Sequence, residues 1–190
     1  MSHRTILLTI LISLGLNFSG TILQQYAPNP LFLDTTGTML SAVLLGPWVG
    51  GLIGLLTNTL QGIIHTPVSI PFGIVNMGVG LTAGYIVKHF KGYRHWYVPL
   101  TVGLTTGLIA ALLAAPIAAY LFGGITGHGV DKIVVALADG GRTIISSAFL
   151  GRLPYSFADK LISAYAVYVI IRLWPTYRAL ASESEMDQKV

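Results

Sequence analysis

Polar and ionisable side chains interrupt the apolar stretches of this chain, and they are the residues whose types could do chemistry. Asp34 lies near the start of the apolar stretch 31–62, and Asp159 and Lys160 are adjacent in the last apolar stretch. Placing an ionisable side chain inside a membrane segment costs about 2.5–3.5 kcal/mol even on the most favourable scale, so such a residue marks a candidate site. Counting helix positions puts the polar residues in or near one half of the expected bundle, its outer half: Asn17, Gln24, Asp34, Thr35, Thr36, Asn58, Gln61, His65, Asn76, Tyr155, Asp159 and Lys160.

This pattern predicts the binding of a small polar molecule and disfavours catalysis. Amides and hydroxyls with few charges suit a neutral or zwitterionic heterocycle, on which tyrosine or tryptophan rings could stack. No nucleophile stands beside a base. The five histidines are scattered and the chain has no cysteine, so we expect no metal and no other cofactor. We predict nine substrate-binding residues: Asn17, Gln24, Asp34, Asn58, Gln61, Asn76, Tyr155, Asp159 and Lys160.

Structural roles stay open for several of these side chains. Asp34 and Lys160 could neutralise each other across two helices, and Asp159 could be an acidic residue that the dipole favours at a helix N-terminus. Asn58 and Asn76 could hydrogen-bond one helix to another, which contributes about 0.6 kcal/mol on average in membranes. Binding and structural roles are equally compatible with the two amides.

Composition indicates an integral membrane protein. Of 190 residues, 53% are hydrophobic and only 9% are charged, whereas soluble domains carry about 25% charged residues. The net charge of +4 does not indicate nucleic-acid binding, because the basic residues sit at loop ends where membrane topology explains them. We expect an all-α protein embedded in the lipid bilayer, with no nucleic-acid partner.

The apolar segments predict a bundle of six transmembrane helices. The expected spans are residues 5–26, 32–45, 48–64, 72–88, 97–122 and 155–174. Residues 130–151 carry four charges and a Gly-Gly pair, so we expect them to form two short helices in the outer loop before the last span. Asp131 and Asp139 belong to this segment, and we expect both to lie on the surface without a partner base.

Loop charge predicts the orientation. Residues 88–96 form the most basic loop, so the positive-inside rule places this loop and both termini in the cytoplasm. Residues 1–181 are expected to form one membrane domain, and residues 182–190 a polar cytoplasmic tail.

Small residues recur at helical spacing. In the first helix, Thr9, Ser13, Asn17 and Gly20 share one face, and Gly15 and Ser19 form a second pair. Such faces indicate close helix packing, either inside this bundle or against another membrane subunit. Glycines at 46, 50, 54 and 62 predict a similar close approach in the third helix.

Several motifs together resemble a known transporter family. They are Asp34-Thr-Thr-Gly37, Leu44-Leu-Gly46-Pro47, Val75-Asn76 leading into Gly80-x-x-x-Gly84, the loop Phe122-Gly-Gly-Ile-Thr-Gly127, and Asp159-Lys160 at the expected opening of the last helix. The combination is similar to the substrate-binding S components of energy-coupling factor (ECF) transporters, and the resemblance covers nearly the whole chain.

The resemblance implies a bacterial plasma-membrane protein that captures a vitamin or its precursor on the outer side. It also implies a membrane coupling (T) subunit and two ATPase subunits as partners, since this chain has no nucleotide-binding motif of its own. Small residues of the first helix would dock the coupling subunit, and those present are Thr9, Ser13, Gly15 and Ser19. The members that this chain resembles most are those for vitamin B6 or hydroxymethylpyrimidine, and the few arginines argue against a multiply anionic ligand.

Two other function classes remain to be weighed. A stand-alone secondary carrier or small channel would need ion coupling or a polar lining along its whole length, whereas the polar residues here are expected in one half. A membrane-embedded enzyme would need a paired acid and base, and Asp34 with His65 is the one pair that the sequence offers.

Overall fold

All the regular structure in the described residues is helical. The structure is a computed structural model that describes residues 2–26 and 33–173. Its helices are α1 (His3–Tyr26), α2 (Thr36–Leu45), α3 (Pro47–Ile64), a 3₁₀ helix (Pro67–Phe72), α4 (Gly73–His89), α5 (Tyr97–Phe122), α6 (Asp131–Asp139) and α7 (Ile144–Leu173).

Glycines bring α3 and α4 into backbone contact. A Cβ atom at Gly54 would overlap the backbone of Asn76, and one at Gly80 would overlap Gly50. One at Gly84 would overlap Pro47, so the two helices run antiparallel along their whole length. The predicted close approach along the third helix is confirmed, because only residues without a Cβ fit this seam.

Glycines also mediate close contacts between other pairs of helices. Gly37 of α2 lies against the backbone of Ser13 in α1, where a side chain has no room. In α5, Gly103 packs on Leu161 and Gly107 on Phe157 of α7. The bundle therefore places the end of α3 and the starts of α4 and α7 at one end of the molecule.

An apolar core fills the centre of this bundle. Its fully buried members come from α2, α4, α5 and α7, and they include Met39, Leu40, Val79, Val98, Val102 and Val167. Large apolar side chains of α1 and α5 point outward instead, among them Leu8, Leu11 and Leu112. An exposed apolar surface of this kind suits lipid contact.

Three segments of the described chain are long and apolar enough to cross a membrane: His3–Gln24, Pro67–His89 and Tyr97–Phe122. α2 has 10 residues and is about 15 Å long, which is shorter than the ~30 Å hydrocarbon core of a bilayer. The count of six spans therefore stays a prediction.

The last helix begins earlier than expected. α7 starts at Ile144, and Pro154 lies inside it without ending it. The break before it falls at Gly141, whose φ of 89° favours glycine. Only α6 is a separate short helix, so the prediction of two short helices in residues 130–151 is wrong.

Other boundaries agree closely, and some predictions lie outside the described residues. The expected span 97–122 coincides with α5, and the loop expected at residues 65–71 contains the 3₁₀ helix. The connection between the first two expected spans, the end of the last span at 174 and the tail at 182–190 all fall outside the ranges described.

Candidate functional site

A cavity of about 750 Å³ lies at the end of the bundle where α4 and α7 begin. Apolar side chains from the core form part of its wall, including Val75, Val79 and Ala114. Polar side chains from α1, α3, the 3₁₀ helix, α4, α6, α7 and the loops line the rest: Thr21, Gln24, Asp34, Thr35, Asn58, Gln61, His65, Thr66, Ser69, Asn76, Thr126, His128, Lys132, Arg152, Tyr155, Ser156, Asp159 and Lys160. The size falls within the range of small-molecule sites.

Eight of the nine predicted substrate-binding residues line this cavity: Gln24, Asp34, Asn58, Gln61, Asn76, Tyr155, Asp159 and Lys160. They come from widely separated parts of the chain, and only the bundle brings them together. Whether they bind a ligand stays a prediction, because a shared cavity shows where the side chains are and not what they hold.

Asn17, the ninth residue, does not line the cavity. Its side chain is fully buried, and its Oδ1 atom accepts hydrogen bonds from the backbone N–H groups of Gly37 (2.7 Å) and Thr38 (3.3 Å). Its Nδ2 atom donates to the hydroxyls of Thr38 (3.0 Å) and Thr57 (2.9 Å). Asn17 therefore joins α1, α2 and α3 at one point.

The cavity amides hydrogen-bond to neighbouring elements, and two of them, Asn58 and Asn76, bond to each other. The Nδ2 atom of Asn76 donates to Oδ1 of Asn58 at 2.8 Å and to the backbone oxygen of Asp34 at 3.4 Å. Nδ2 of Asn58 donates to the backbone oxygen of Ser69 at 3.4 Å, and Nε2 of Gln61 donates to the hydroxyl of Thr21 at 2.5 Å. The helix-to-helix role is thus observed for both asparagines, on side chains that also face the cavity.

The acidic and basic groups of α7 are paired with each other. Asp159 accepts a hydrogen bond from the backbone N–H of Leu33 at 2.7 Å through Oδ1, and its Oδ2 holds the ammonium of Lys160. No nitrogen–oxygen distance between Lys160 and Asp34 is within 4.0 Å in the described residues. The two side chains therefore form no direct ion pair, and their neutralisation at longer range stays a prediction. Asp159 lies mid-helix, so its proposed role at a helix N-terminus is wrong.

A second charged cluster shapes the rim of the cavity. Asp131 at the start of α6 accepts hydrogen bonds from the backbone N–H groups of Thr126 (2.8 Å), Gly127 (2.7 Å) and His128 (3.1 Å). Arg152 lies 3.5 Å from the Asp131 carboxylate and donates to the Thr126 hydroxyl at 3.2 Å. The expectation that Asp131 lies on the surface without a partner is wrong, because it is buried and holds the loop.

His128 belongs to this cluster. Its Nδ1 atom lies 3.1 Å from the Thr126 hydroxyl. Burial lowers the pKa of His128, and the nearby Arg152 guanidinium lowers it further, while the Asp131 carboxylate opposes both effects. The imidazole is thereby kept neutral below the pH at which a solvated histidine would take up a proton.

Arg152 is the main cavity residue that the sequence pattern missed. With α7 continuous from residue 144, Arg152, Ser156 and Lys160 recur every four positions and share one face of the helix. That face is the one toward the cavity. The periodicity was present in the sequence, but an expected helix start at residue 155 separated Arg152 from the rest of the stripe.

The four predicted docking residues divide between two faces of α1. Thr9 and Ser13 are fully buried in the bundle, so they face α1's own neighbours. Gly15 and Ser19 are exposed, and a Cβ at Gly15 would meet no atom within 4 Å. Only the second pair lies where another subunit could touch the folded chain.

Comparison with known proteins identifies the family. The model for the substrate-specific component of ECF transporters matches residues 5–171. The chain belongs to this family. No curated protein and no solved structure matches the chain. The chain is therefore a membrane-embedded transport subunit of a family that binds a small substrate and works with T and ATPase subunits.

Proposed function

We propose that this substrate-specific component captures a small vitamin or vitamin precursor in the cavity, on the outer side of a bacterial plasma membrane, with both of its termini in the cytoplasm. A T subunit and two ATPase subunits would then drive delivery inward. The convergence of eight polar candidates on one cavity of about 750 Å³ carries this proposal. Residues that served only helix packing would have no reason to share a cavity wall.

The lining supports a neutral or zwitterionic heterocycle as substrate, and vitamin B6 and hydroxymethylpyrimidine are the candidates we favour. Arg152 and Lys160 each pair with a carboxylate of the chain, so most of their charge is already balanced. Phe72 and Tyr155 offer aromatic faces on the cavity wall. Lys132 is the one lysine or arginine of the described lining without an ion pair. A single unpaired cation disfavours a multiply anionic ligand, which would need several.

The exposed pair Gly15 and Ser19 is the part of the predicted docking set that supports contact with the T subunit. Gly15 lies on the lipid-facing side of α1 with open space around it. A small residue there lets a second helix approach closely. Replacing Gly15 with leucine should reduce co-purification of the T subunit while ligand binding is retained, and Gly15→Ala should preserve both. Loss of ligand binding in Gly15→Leu would contradict this division of labour.

The experiment that tests the proposal is purification from the native membrane, followed by mass spectrometry of the proteins and small molecules that remain bound. Recovery of two ATPases and one T subunit is expected, together with a heterocycle of vitamin size. A chain that purifies without ATPase partners from membranes that contain them would refute the proposal and favour a stand-alone carrier.

A further inference from the structure

We infer that Asp34 and Lys160 form a divided pair, an unclosed ion pair that recognises a flat nitrogen heterocycle by an edge carrying a hydrogen-bond donor next to an acceptor. This inference rests on the proposed function, because it names the substrate class of the same cavity. Both side chains line the cavity, yet no nitrogen–oxygen distance between them is within 4.0 Å.

The Lys160 ammonium has N–H groups that are available to a ligand. Its side chain is 6% exposed, and its ammonium bonds to Asp159. An ammonium carries three N–H donors, and within residues 2–26 and 33–173 this one has Asp159 as its sole hydrogen-bond acceptor. Asp159 is itself held by the backbone N–H of Leu33, so the ammonium is fixed beside the cavity with donors that a ligand can use.

The Asp34 carboxylate has oxygen atoms that are available to accept hydrogen bonds from a ligand. No hydrogen bond or ion pair joins its carboxylate to another residue in the described chain. Its backbone is nevertheless held, because Asn76 donates to its carbonyl oxygen, and α2 begins two residues later. The neighbours of Asp34 fix its position but form no hydrogen bond with its carboxylate. Functional groups of binding sites are held in this way.

The chemistry of the two groups defines what can bridge them. A bridging group must donate to the Asp34 carboxylate and accept from the Lys160 ammonium. Adjacent ring-nitrogen and amino groups of a heterocycle present that pair in one plane. A hydrogen bond to a charged partner contributes about 1.5–3 kcal/mol, so a molecule that lacks either half of the edge should bind at least about tenfold more weakly.

The test uses three flat probes of similar size. 2-Aminopyridine carries the full edge, pyridine carries the acceptor alone, and aniline carries the donor alone. Their affinities for the full chain in lipid nanodiscs are measured by calorimetry or by ligand-observed NMR, at a pH at which all three are neutral. We expect 2-aminopyridine to bind at least about tenfold more tightly than either control compound.

Matched variants assign the preference to the pair. Asp34→Ala should abolish the advantage of 2-aminopyridine over pyridine, which depends on the amino donor, and the isosteric Asp34→Asn should reduce it. Asp139→Ala, which removes an exposed carboxylate outside the cavity, should leave it unchanged. Lys160 is not the primary target, since removing it would leave the buried Asp159 carboxylate without its cation.

Equal affinity for the three probes, no measurable binding of any of them, or a preference over pyridine that survives in Asp34→Ala would each overturn the inference. Failure here is distinguishable from failure of the proposed function. Recovery of the T and ATPase subunits does not depend on Asp34, so a chain that retains these partners but shows no edge preference loses only the divided pair.

Discussion

Asp131→Asn should release the loop at the rim of the cavity. The wild-type carboxylate accepts three backbone N–H groups, from residues 126, 127 and 128, and pairs with Arg152. Its side chain is 12% exposed and that of Arg152 is 5% exposed, so solvent screens the pair little. Asparagine keeps the shape and one acceptor oxygen, but it removes the charge that balances the buried guanidinium.

The magnitude follows from these contacts. Hydrogen bonds to a charged group contribute about 1.5–3 kcal/mol each, and breaking a buried ion pair costs about 3–5 kcal/mol. Because asparagine retains part of the hydrogen bonding, we expect a loss of about 2–3 kcal/mol in the free energy that keeps the loop closed. This corresponds to amide exchange about 30- to 150-fold faster at residues 126–128.

Hydrogen exchange with mass spectrometry on the protein in nanodiscs measures this change in exchange rate. A second aspartate of α6 provides the control variant. Asp139 ends the same helix and is exposed. Its carboxylate sits at the negative end of the helix dipole, so Asp139→Asn should be neutral or slightly stabilising. Equal exchange rates in the two variants would refute the reasoning.

A double-mutant cycle sharpens the test. Once Asp131 is neutral, Arg152→Gln should cost less than it costs in the wild-type chain, since the ion pair is already broken. Strictly additive effects would show that the two residues act independently and that the 3.5 Å contact between them contributes nothing.

Two further predictions concern packing and pH. Gly37→Ala should prevent stable folding, because its Cβ would overlap the backbone of Ser13. Gly15→Ala is the control: open space surrounds this position, so the variant should keep the wild-type melting temperature or raise it. Equal melting temperatures for the two variants would contradict the close packing of α1 and α2. His128 has a folded-state pKa below the usual 6.5, so the unfolded chain binds its proton first and stability should fall as pH drops through 6.5 toward the folded pKa. His128→Gln should lose less stability than the wild type over that interval of pH, and parallel melting curves for the two proteins would show that His128 contributes nothing.

Much of the helical architecture could be predicted from apolar length. α5 matches its expected bounds, because a predominantly apolar run of 26 residues lies between a basic loop and a Gly-Gly pair that ends the helix. The start of α7 could not be predicted in the same way. Proline is favoured in the first turn of a helix, so Pro154 indicates a helix start. A proline inside a helix is nevertheless tolerated where packing holds the rest of the helix. Gly107 of α5 packs on α7 near this point and holds it in place.

The rim cluster was not predictable from local pattern. Asp131 follows a glycine-rich loop, which is typical of a solvated surface segment. Its burial depends on Arg152, 21 positions later on another helix. A carboxylate and a guanidinium so far apart in sequence are brought together by the tertiary fold, and single-sequence periodicity carries no information about that pairing.

Asn17 and Asp34 show why a polar residue in an apolar segment is not yet a binding residue. Both are expected at similar depth, and both met the same sequence criterion. The Asn17 side chain makes four hydrogen bonds with its neighbours, so a ligand could use it only by breaking the junction of three helices. The Asp34 carboxylate bonds to no other residue in the described chain. Leaving a carboxylate without a hydrogen-bonding partner inside a membrane protein is costly, and this difference from Asn17 is why we propose Asp34 as a ligand-binding residue.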